Sequence, residues 1–328
     1  MMMQKPAGVQ NPFRPLSQMK TVTIVGATSP TGLGVVPAFA AEGWRVLASY
    51  RDRAAVPAEW LPEQSVEPTL LDLLSGEVGR AAGAESIVWL AHIDAGRFNE
   101  AEVEINREAL LRFLGRVDAR RTRSFVFVSS GGSVYGHPRS LPIDEDHPRE
   151  PLSSYGQAKR ALEDEVLRFG ERSGVRVAVL RPGNIFGFER PDRKCKGVTA
   201  AFLNAVDRGL PFTLIHGGRT VRDFVHIDDV CRAIMLAAES DAPAAVWNVG
   251  SGIGTSTIDW IEMLRSESGV EMPPLVEREN YTSDVLENVL SHRRITEATG
   301  WAPSVSVSEG ARLTVAHWRA FRDAAVFA

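Results

Sequence analysis

The residues best suited to acid–base chemistry lie in the segment SSYGQAK, which contains Tyr155 and Lys159. Residues four positions apart on a helix share one face, so this spacing places the phenol about one turn from the ammonium. A phenol with a pKa of about 10 is a poor proton acceptor at neutral pH, but a neighbouring cation favours the phenolate and lowers that pKa. We therefore predict that Tyr155 is an acid/base group tuned by Lys159. The alternative is an ordinary pair on a surface helix.

A second segment, GATSPTG, has the pattern of a phosphate-binding loop. It follows the β-branched run TVTIV and precedes a helical segment that Ser29 is expected to cap and Pro30 to open. A glycine-rich turn in this place presents backbone N–H groups and a helix N-terminus to a pyrophosphate. We predict a dinucleotide site here, and the alternative is a tight turn without a ligand. The predicted contacts are Gly26, Thr28, Ser29, Pro30, Thr31 and Gly32.

The end of the next predicted strand, ASYRDR, bears on the choice of dinucleotide. An acidic residue there usually bonds a ribose 2′-hydroxyl, whereas an arginine suits a 2′-phosphate. Arg51 therefore favours NADP, while Asp52 keeps NAD open. The alternative for Arg51 is a solvated charge at the strand end.

These groups need a scaffold, and the chain alternates apolar strand-like runs with helical segments. Strands are predicted at TVTIVG, WRVLASY, SVEPTLLDL, SIVWLAH, SFVFVSS, VRVAVLRP and AAVWNVG. Such alternation predicts an α/β fold, a Rossmann doubly wound parallel sheet. The predicted helices include Glu100–Asp118, Tyr155–Arg172, Val198–Arg208, Asp228–Glu239, Thr257–Glu267 and Ser308–Arg322.

The strand–helix pattern loosens beyond Pro182, which indicates a smaller, discontinuous C-terminal substrate lobe over the carboxyl ends of the strands. We predict an N-terminal extension at 1–20 and a dinucleotide-binding domain formed by 21–182 with about 220–250. The substrate lobe is then about 183–219 with 251–328. A chain of 328 residues is long enough for this arrangement.

Composition excludes several classes of protein. The apolar fraction of 44% and the charged fraction of 24% are those of a globular protein, and a net charge of −4 argues against a nucleic-acid partner. Only Cys195 and Cys231 are present, so we expect no disulfide framework and a cytoplasmic location. No signal peptide or membrane-spanning run is expected, and we predict no metal site.

Taken together, these segments resemble the extended short-chain dehydrogenase/reductase superfamily, in its NAD-dependent epimerase/dehydratase branch, which handles nucleotide sugars. The resemblance runs from about Thr21 to Trp318. It rests on GATSPTG, DLL at Asp72, IVWLAH, INREALL, FVFVSSGGSVYG, YGQAK, LRPGNIFG, RDFVHIDDV, WNVGSG and GWAP.

The resemblance implies roles for individual residues. Tyr155 would be the acid/base, and Lys159 would lower its pKa and hold the nicotinamide ribose. Asn184 and Arg222 would face the nucleotide diphosphate of the substrate, where a guanidinium offers paired donors; the alternative for Arg222 is a salt bridge between lobes. His226 and Asp228 are expected to be structural. The further cofactor contacts implied are Asp72, Leu73, Leu90, Ala91, Asn106, Ser129 and Pro182.

Three positions depart from the family pattern. Ser29 replaces the middle glycine of the loop, and Thr282 stands where an arginine often binds phosphate. Gly131 occupies the position four before Tyr135, where relatives have Ser or Thr. Ser133 lies two residues on, which in extended chain is the same face.

We therefore predict that Ser133 supplies the catalytic hydroxyl and contacts the substrate. On this hypothesis Ser133→Ala should lower the rate by roughly 10²–10⁴, and Ser130→Ala should have a much smaller effect.

The predicted function is hydride transfer between a nicotinamide cofactor and a sugar carbon, by an epimerase or a keto-reductase. A dehydratase needs an acidic pair beside the catalytic hydroxyl, and Gly132 and Ser133 offer none, so dehydration is disfavoured. An NADP preference fits a reductase, whereas an epimerase retains its cofactor and often uses NAD. The alternative class is a non-catalytic NADP(H)-binding sensor or scaffold, against which the intact Tyr155 and Lys159 argue. The resemblance also implies a homodimer formed through the two long helices.

Overall fold

The computed structural model describes residues 19–76, 78–94, 101–190, 197–278 and 285–326. Short runs rich in β-branched and aromatic residues form the strands, as their composition favours. In chain order the strands of the described part are β1 Thr21–Val25, β2 Arg45–Tyr50, β3 Val66–Leu70, β4 Ser86–Trp89, β5 Ser124–Val128, β6 Arg176–Pro182, β7 Asn184–Phe186, β8 Phe212–Ile215, β9 Val221–His226, β10 Ala244–Val249, β11 Gly254–Ser256, β12 Leu275–Arg278 and β13 Glu287–Asn288.

The helices begin at capping side chains and end at left-handed glycines in several cases. Ser153 caps the longest helix of the first half of the chain, and Gly174 ends it with φ +74°. In the described part the helices are α1 Pro30–Ala41, α2 Ala101–Leu114, α3 Gly131–Val134, α4 Ser154–Ser173, α5 Val198–Arg208, α6 Ile227–Glu239, α7 Thr257–Ser268, α8 Arg293–Thr299 and α9 Val307–Val326.

Seven strands form one parallel sheet in the order β10-β6-β5-β4-β1-β2-β3. Each of the seven strands predicted from the sequence lies in it, so the prediction of a doubly wound parallel sheet is confirmed. The strand order reverses between β1 and β4, and in such sheets a ligand binds beyond the carboxyl ends of the strands at this reversal.

Alternate residues of each central strand face opposite layers of helices. In β5, Val126 and Val128 join the core beneath α1 and α6, whereas Phe125 and Phe127 join the core beneath α2 and α4. Because both faces are covered, β5 is a continuous buried apolar run rather than an alternating one.

The later part of the chain builds smaller sheets around a third core. Strand β9 pairs with β7, β11 and β13, and β8 pairs with β12. Helices α5, α7 and α9 close this core over Phe186, Phe224 and Trp260. Strand β10 lies in the large sheet while β9 lies in the smaller one, so the stretch about 220–250 contributes to both.

Some predicted features lie outside the described residues, namely most of the extension at 1–20, Cys195 and Thr282. Cys231 is buried between α1 and α6. Within the described ranges, no helix has the length and apolar character needed to cross a membrane.

Candidate active site

The glycine-rich turn between β1 and α1 is folded against the end of β4. Gly26 has φ +87°, and a Cβ there would lie 2.8 Å from the backbone nitrogen of Ala91. Only glycine satisfies both the left-handed backbone and this close approach. The N–H of Gly26 donates to the hydroxyl of Ser49 at 2.8 Å, which ties the turn to β2 as well.

Ser29 caps α1, as the sequence predicts, because its hydroxyl accepts from the N–H of Gly32 at 3.1 Å. Gly32 also leaves no space for a side chain, since a Cβ there would lie 2.3 Å from the carbonyl oxygen of Ala27. With Pro30 and Thr31 opening the helix beside Thr28, the N-terminus of α1 faces the carboxyl end of the sheet. The serine in place of the family's middle glycine thus completes the helix end rather than disturbing it.

The two candidates for cofactor choice at the end of β2 differ in what their side chains do. Asp52 uses its carboxylate to accept from the N–H of Ala54 at 3.0 Å, capping the short turn Arg53–Ala55. Arg51 is exposed at the strand end. The Asp52 carboxylate is therefore engaged by the backbone, and both residues are exposed at this edge.

Asp72 and Leu73 follow β3 on the same edge of the sheet. The Asp72 carboxylate accepts from the N–H of Leu74 at 2.9 Å, and this hydrogen bond is the main reason that its pKa is lowered from the usual value. Leu73 packs against the core beneath α2 and α4. Both residues lie near the carboxyl ends of the strands, where the resemblance places them.

The first turn of α4 carries Tyr155 and Lys159. A Cβ on Gly156 would lie 2.5 Å from the carbonyl oxygen of Ser133, so the helix start is pressed directly onto the turn 130–134. The Lys159 ammonium is buried, donates to the carbonyl of Val128 at 2.9 Å, and lies 5.6 Å from the centre of the Tyr155 ring. The predicted pair therefore meets at the end of β5.

Burial perturbs both groups strongly. It raises the pKa of Tyr155 to about 12, an effect that Glu102 increases and a hydrogen bond with the Ser130 hydroxyl opposes. Burial lowers the pKa of Lys159 to about 8, opposed by the charge of Glu163. In the protein alone, Tyr155 is thus a proton donor at neutral pH.

The segment SSGGSVYG does not continue as extended chain, and the argument that placed Ser133 two residues along one face is wrong. Residues Gly131–Val134 form a helical turn that begins after Ser130. In this turn the Ser130 hydroxyl lies 3.2 Å from the Ser133 hydroxyl and bonds Tyr155. Both serines are therefore at the site, with Ser130 the one in contact with the phenol.

The two glycines of this turn face different surroundings. A Cβ on Gly131 would lie 2.6 Å from Cδ1 of Leu290 and 2.8 Å from the carbonyl oxygen of Arg181, so no side chain fits there. A Cβ on Gly132 would be 3.5 Å from Oδ1 of Asn184, an ordinary contact. The hydroxyl missing at Gly131 has no space to occupy, and the open position is Gly132.

Beneath β5 lies a buried ion pair. Arg181 donates to Glu163 through Nη2 at 2.7 Å and Nε at 3.1 Å, and Ser129 donates its hydroxyl to the same carboxylate. Arg181 also donates to the phenol of Tyr135 at 2.9 Å. Ser129, predicted as a cofactor contact, thus spends its hydroxyl on holding β5 to α4.

Asn106, predicted to lie beneath the cofactor, fixes the chain that follows β4. Its Oδ1 accepts from the N–H of Ile93 at 2.7 Å, and its Nδ2 donates to the carbonyls of Ile93 and Glu102, each at 2.8 Å. The neighbouring residues Leu90 and Ala91 line the junction between β4 and the glycine-rich turn. Asn106 therefore fixes the backbone of the chain that leaves this junction.

The predicted substrate contacts come from the smaller sheet. Asn184 begins β7, two residues after Pro182, and lies beside Gly132. Arg222 in β9 donates to the carbonyl of Val221 at 2.9 Å and of Leu286 at 3.4 Å. His226 caps α6 by accepting from the N–H of Asp228 at 3.3 Å, in agreement with the expected structural role.

The residues present fit a dinucleotide. A Cβ would fill the cradle at Gly26, the N-terminus of α1 faces that cradle, and a buried ammonium and a phenol stand at the end of β5, two strands away on the same edge of the sheet. In the part of the chain that the structure describes, no group of three or more His, Cys, Asp or Glu side chains is placed to hold a metal ion.

Comparison with known proteins decides the family. A family model described as the NAD-dependent epimerase/dehydratase family matches residues 22–250, which is more than half of the chain. The chain belongs to this family. Its members are enzymes that use NAD, and the seven-stranded sheet is their Rossmann-type fold.

Individual epimerase relatives match over different shares of their length. The chain is 31% identical to a UDP-glucose 4-epimerase from Mycolicibacterium smegmatis over 60% of its own length and 63% of that protein. The aligned segment thus spans less than two thirds of that curated relative.

Solved structures of the epimerase/dehydratase family cover more of the chain. A UDP-glucose 4-epimerase from Thermotoga maritima, solved with UDP-glucose, has a TM-score of 0.79 and 26% identity and covers 93% of this chain and 99% of that one. The enzyme from Thermus thermophilus in complex with NAD has a TM-score of 0.79 and 27% identity, covering 91% and 99%.

Sequence reasoning missed the contact of Ser130 with Tyr155 and two further residues next to the phenol. The His92 ring lies edge-on to the Tyr155 ring with centroids 4.7 Å apart, and the buried Glu102 is bonded to His92. The signals were present in the sequence. His92 ends the strand motif IVWLAH, and Glu102 stands one helical turn before Asn106.

Proposed function

We propose that this protein is an NAD-dependent 4-epimerase of a UDP-hexose in which Tyr155 moves the hydroxyl proton. The observation that carries the proposal is the meeting of Tyr155, Lys159 and Ser130 at the carboxyl end of β5, on the same edge of the sheet as the glycine-rich turn. The similarity to UDP-glucose 4-epimerases over nearly the whole chain supports the substrate class.

The bound nicotinamide would supply the chemistry of accepting a hydride from the sugar carbon and returning it. Tyr155 would take the proton of the reacting hydroxyl and later give it back. Ser130 would hold the phenol, and Ser133, hydrogen-bonded to Ser130, would contact the substrate oxygen. Lys159 would favour the phenolate and hold the cofactor ribose.

The remaining predicted contacts keep their roles within this proposal. Asn184 lies beside Gly132, and Arg222 carries a guanidinium on β9. Both side chains would face the nucleotide diphosphate, whose oxygens a guanidinium can bind through paired donors. Asp72 and Leu73 would lie along the adenine, and Leu90, Ala91, Asn106 and Pro182 would shape the floor of the cofactor site. The smaller sheets and α5, α7 and α9 would form the substrate lobe.

A keto-sugar reductase using NADPH is the second candidate, and the observation that favours it is Arg51. Its guanidinium is exposed at the end of β2, while the Asp52 carboxylate is occupied by the N–H of Ala54. An arginine in that position suits a 2′-phosphate. On this hypothesis Arg51→Ala weakens NADPH binding and leaves NADH binding unchanged.

The purified protein separates the candidates. On the epimerase proposal it carries NAD(H) that survives purification and interconverts UDP-glucose and UDP-galactose without net cofactor consumption. Reversible NADPH binding with oxidation by a keto sugar would establish the reductase. Cofactor binding without turnover on any nucleotide sugar would leave a sensor or scaffold.

The Tyr155→Phe variant tests the acid/base assignment. Loss of the hydroxyl should abolish turnover while UDP-hexose and cofactor still bind, because the ring and its contact with His92 remain. An active Tyr155→Phe protein would refute the assignment. We also propose a homodimer through the outer faces of α2 and α4, which light scattering checks; a monomer would remove that part of the proposal.

A further inference from the structure

A buried carboxylate stands directly behind the phenol of Tyr155. The Glu102 side chain is 5% exposed, its Oε1 lies 2.5 Å from Nε2 of His92, and its Oε2 accepts from the hydroxyl of Ser154 at 3.0 Å. Ser154 precedes Tyr155 in the chain, and the His92 ring meets the Tyr155 ring at 76°. Both partners of the carboxylate therefore touch or adjoin the acid/base group.

The carboxylate is held rigidly. Asn106, one turn further along α2, bonds the carbonyl of Glu102 and both backbone groups of Ile93. These hydrogen bonds lock the start of α2 to the chain that carries His92. Glu102 and His92 consequently keep their distance from Tyr155.

His92 meets Glu102 as a neutral donor. A carboxylate only accepts, so Nε2 of His92 carries the proton in this contact. Nδ1 is buried and bonds no other described residue, and a second proton there would be an N–H without an acceptor. Burial and the charge of Lys159 lower the pKa of His92, against the opposing effects of Glu102 and Asp94. The charge of Glu102 is therefore met by dipoles, not by a cation, at both oxygens.

We propose that Glu102, held by His92 and Ser154, is a positioning residue whose charge adds to burial in keeping Tyr155 protonated until a ligand brings positive charge to the site. The inference rests on the proposed function, because it assigns Glu102 to the control of the acid/base group named there. A nearby anion disfavours the phenolate. The Ser130 hydroxyl acts in the opposite direction. The Lys159 ammonium lies 5.6 Å from the centre of the Tyr155 ring, and a nearby cation favours the phenolate.

The charge-removing variant Glu102→Gln tests this role while conserving shape. We expect Tyr155 to ionise about one pH unit lower in the variant, because one unfavourable charge is gone. The measurement is the ultraviolet absorbance of tyrosinate against pH in the NAD-bound protein, with the same variant carrying Tyr155→Phe subtracted. Glu104→Gln, an exposed neighbour that pairs with Arg107, is the matched control and should give no shift.

A double-mutant cycle separates the electrostatic role from packing. His92→Phe keeps the ring contact but removes a donor from Glu102. The carboxylate charge is then less compensated and disfavours the phenolate more strongly, so Tyr155 should ionise at higher pH. In the Glu102→Gln background the same change should have no effect on that midpoint. An unchanged midpoint in Glu102→Gln, or an equal effect of His92→Phe in both backgrounds, would overturn the proposal.

Ser154→Ala provides a second test should Glu102→Gln fail to fold. It also removes a donor from the carboxylate and should raise the Tyr155 midpoint; no change would again contradict the proposal. Activity assays distinguish failure of the Glu102 role from failure of the proposed function. Turnover of UDP-hexose with an unmoved midpoint refutes only the role of Glu102, whereas the expected shifts without turnover refute only the proposed function.

Discussion

The hydroxyl of Ser130 hydrogen-bonds the phenol of Tyr155 and reaches the hydroxyl of Ser133 at 3.2 Å. Ser130 therefore connects Ser133 to Tyr155 where the start of α3 meets the start of α4. Gly131 is the position at which the resemblance leads one to expect a hydroxyl; it is buried, and the two serines lie on either side of it in the chain.

Because the serines form one chain, Ser130→Ala and Ser133→Ala should each lower kcat by roughly 10²-fold or more, and the double variant should lose little further. This replaces the expectation that Ser130 matters much less, which assumed extended chain. Steady-state kinetics of the three variants on a UDP-hexose provide the check. Additive losses would show that the two hydroxyls act independently.

Introducing a hydroxyl at Gly131 should not restore the family pattern. Gly131→Ser places Cβ within 3 Å of Leu290 and the carbonyl of Arg181, so the free energy of unfolding should fall by about 1–3 kcal/mol, with activity falling too. Gly132→Ser fits beside Asn184 and should keep its stability. Urea denaturation of both variants measures the difference, and an equal loss of stability would contradict it.

The cradle at Gly26 should be required for cofactor binding. Gly26→Ala meets both a left-handed φ of +87° and the nitrogen of Ala91, so NAD affinity and stability should both fall. Gly76 is the control because it has φ +79° with no atom within 4 Å of a Cβ. Gly76→Ala should show the conformational strain alone, and calorimetric NAD titration should find its affinity unchanged.

Replacing the Lys159 ammonium should stabilise the fold while destroying activity. Burial lowers the pKa of Lys159 in the folded protein to about 8, below its value of 10.5 in the unfolded chain. Keeping Lys159 charged in the folded protein at neutral pH therefore reduces the free energy of unfolding. Lys159→Met should therefore raise the free energy of unfolding by about 1–3 kcal/mol at pH 7.

The stability difference between Lys159→Met and the wild type should depend on pH in a defined direction. Between pH 8 and 10.5 the unfolded chain binds the proton and the folded protein does not, so the wild type gains stability as pH rises. The advantage of Lys159→Met should be constant below pH 8 and shrink above it. Denaturation curves at pH 7 and pH 9.5 measure this, and an advantage that grows with pH would refute the assignment.

The large parallel sheet could be predicted from the sequence. Seven short apolar runs, each too β-branched and too short for a helix, predicted the strands that pair in parallel, because local periodicity and burial on both faces leave few alternatives. The cap of α1 was predicted as well, since Ser29 accepts from the N–H of Gly32 three positions on. Tyr155 and Lys159 meet because their spacing is a property of the helix itself.

The surroundings of the phenol could not be predicted in the same way, because they come from distant parts of the chain. Ser130 reaches Tyr155 because Gly131–Val134 turns instead of extending, and Leu290, which lies far along the chain, packs against Gly131 in that turn. His92 and Glu102 meet behind Tyr155 because Asn106 locks α2 to the end of β4. Contacts between distant segments depend on tertiary packing, which local sequence patterns do not predict. At this site, packing brings the His92 ring and the Glu102 carboxylate close to Tyr155.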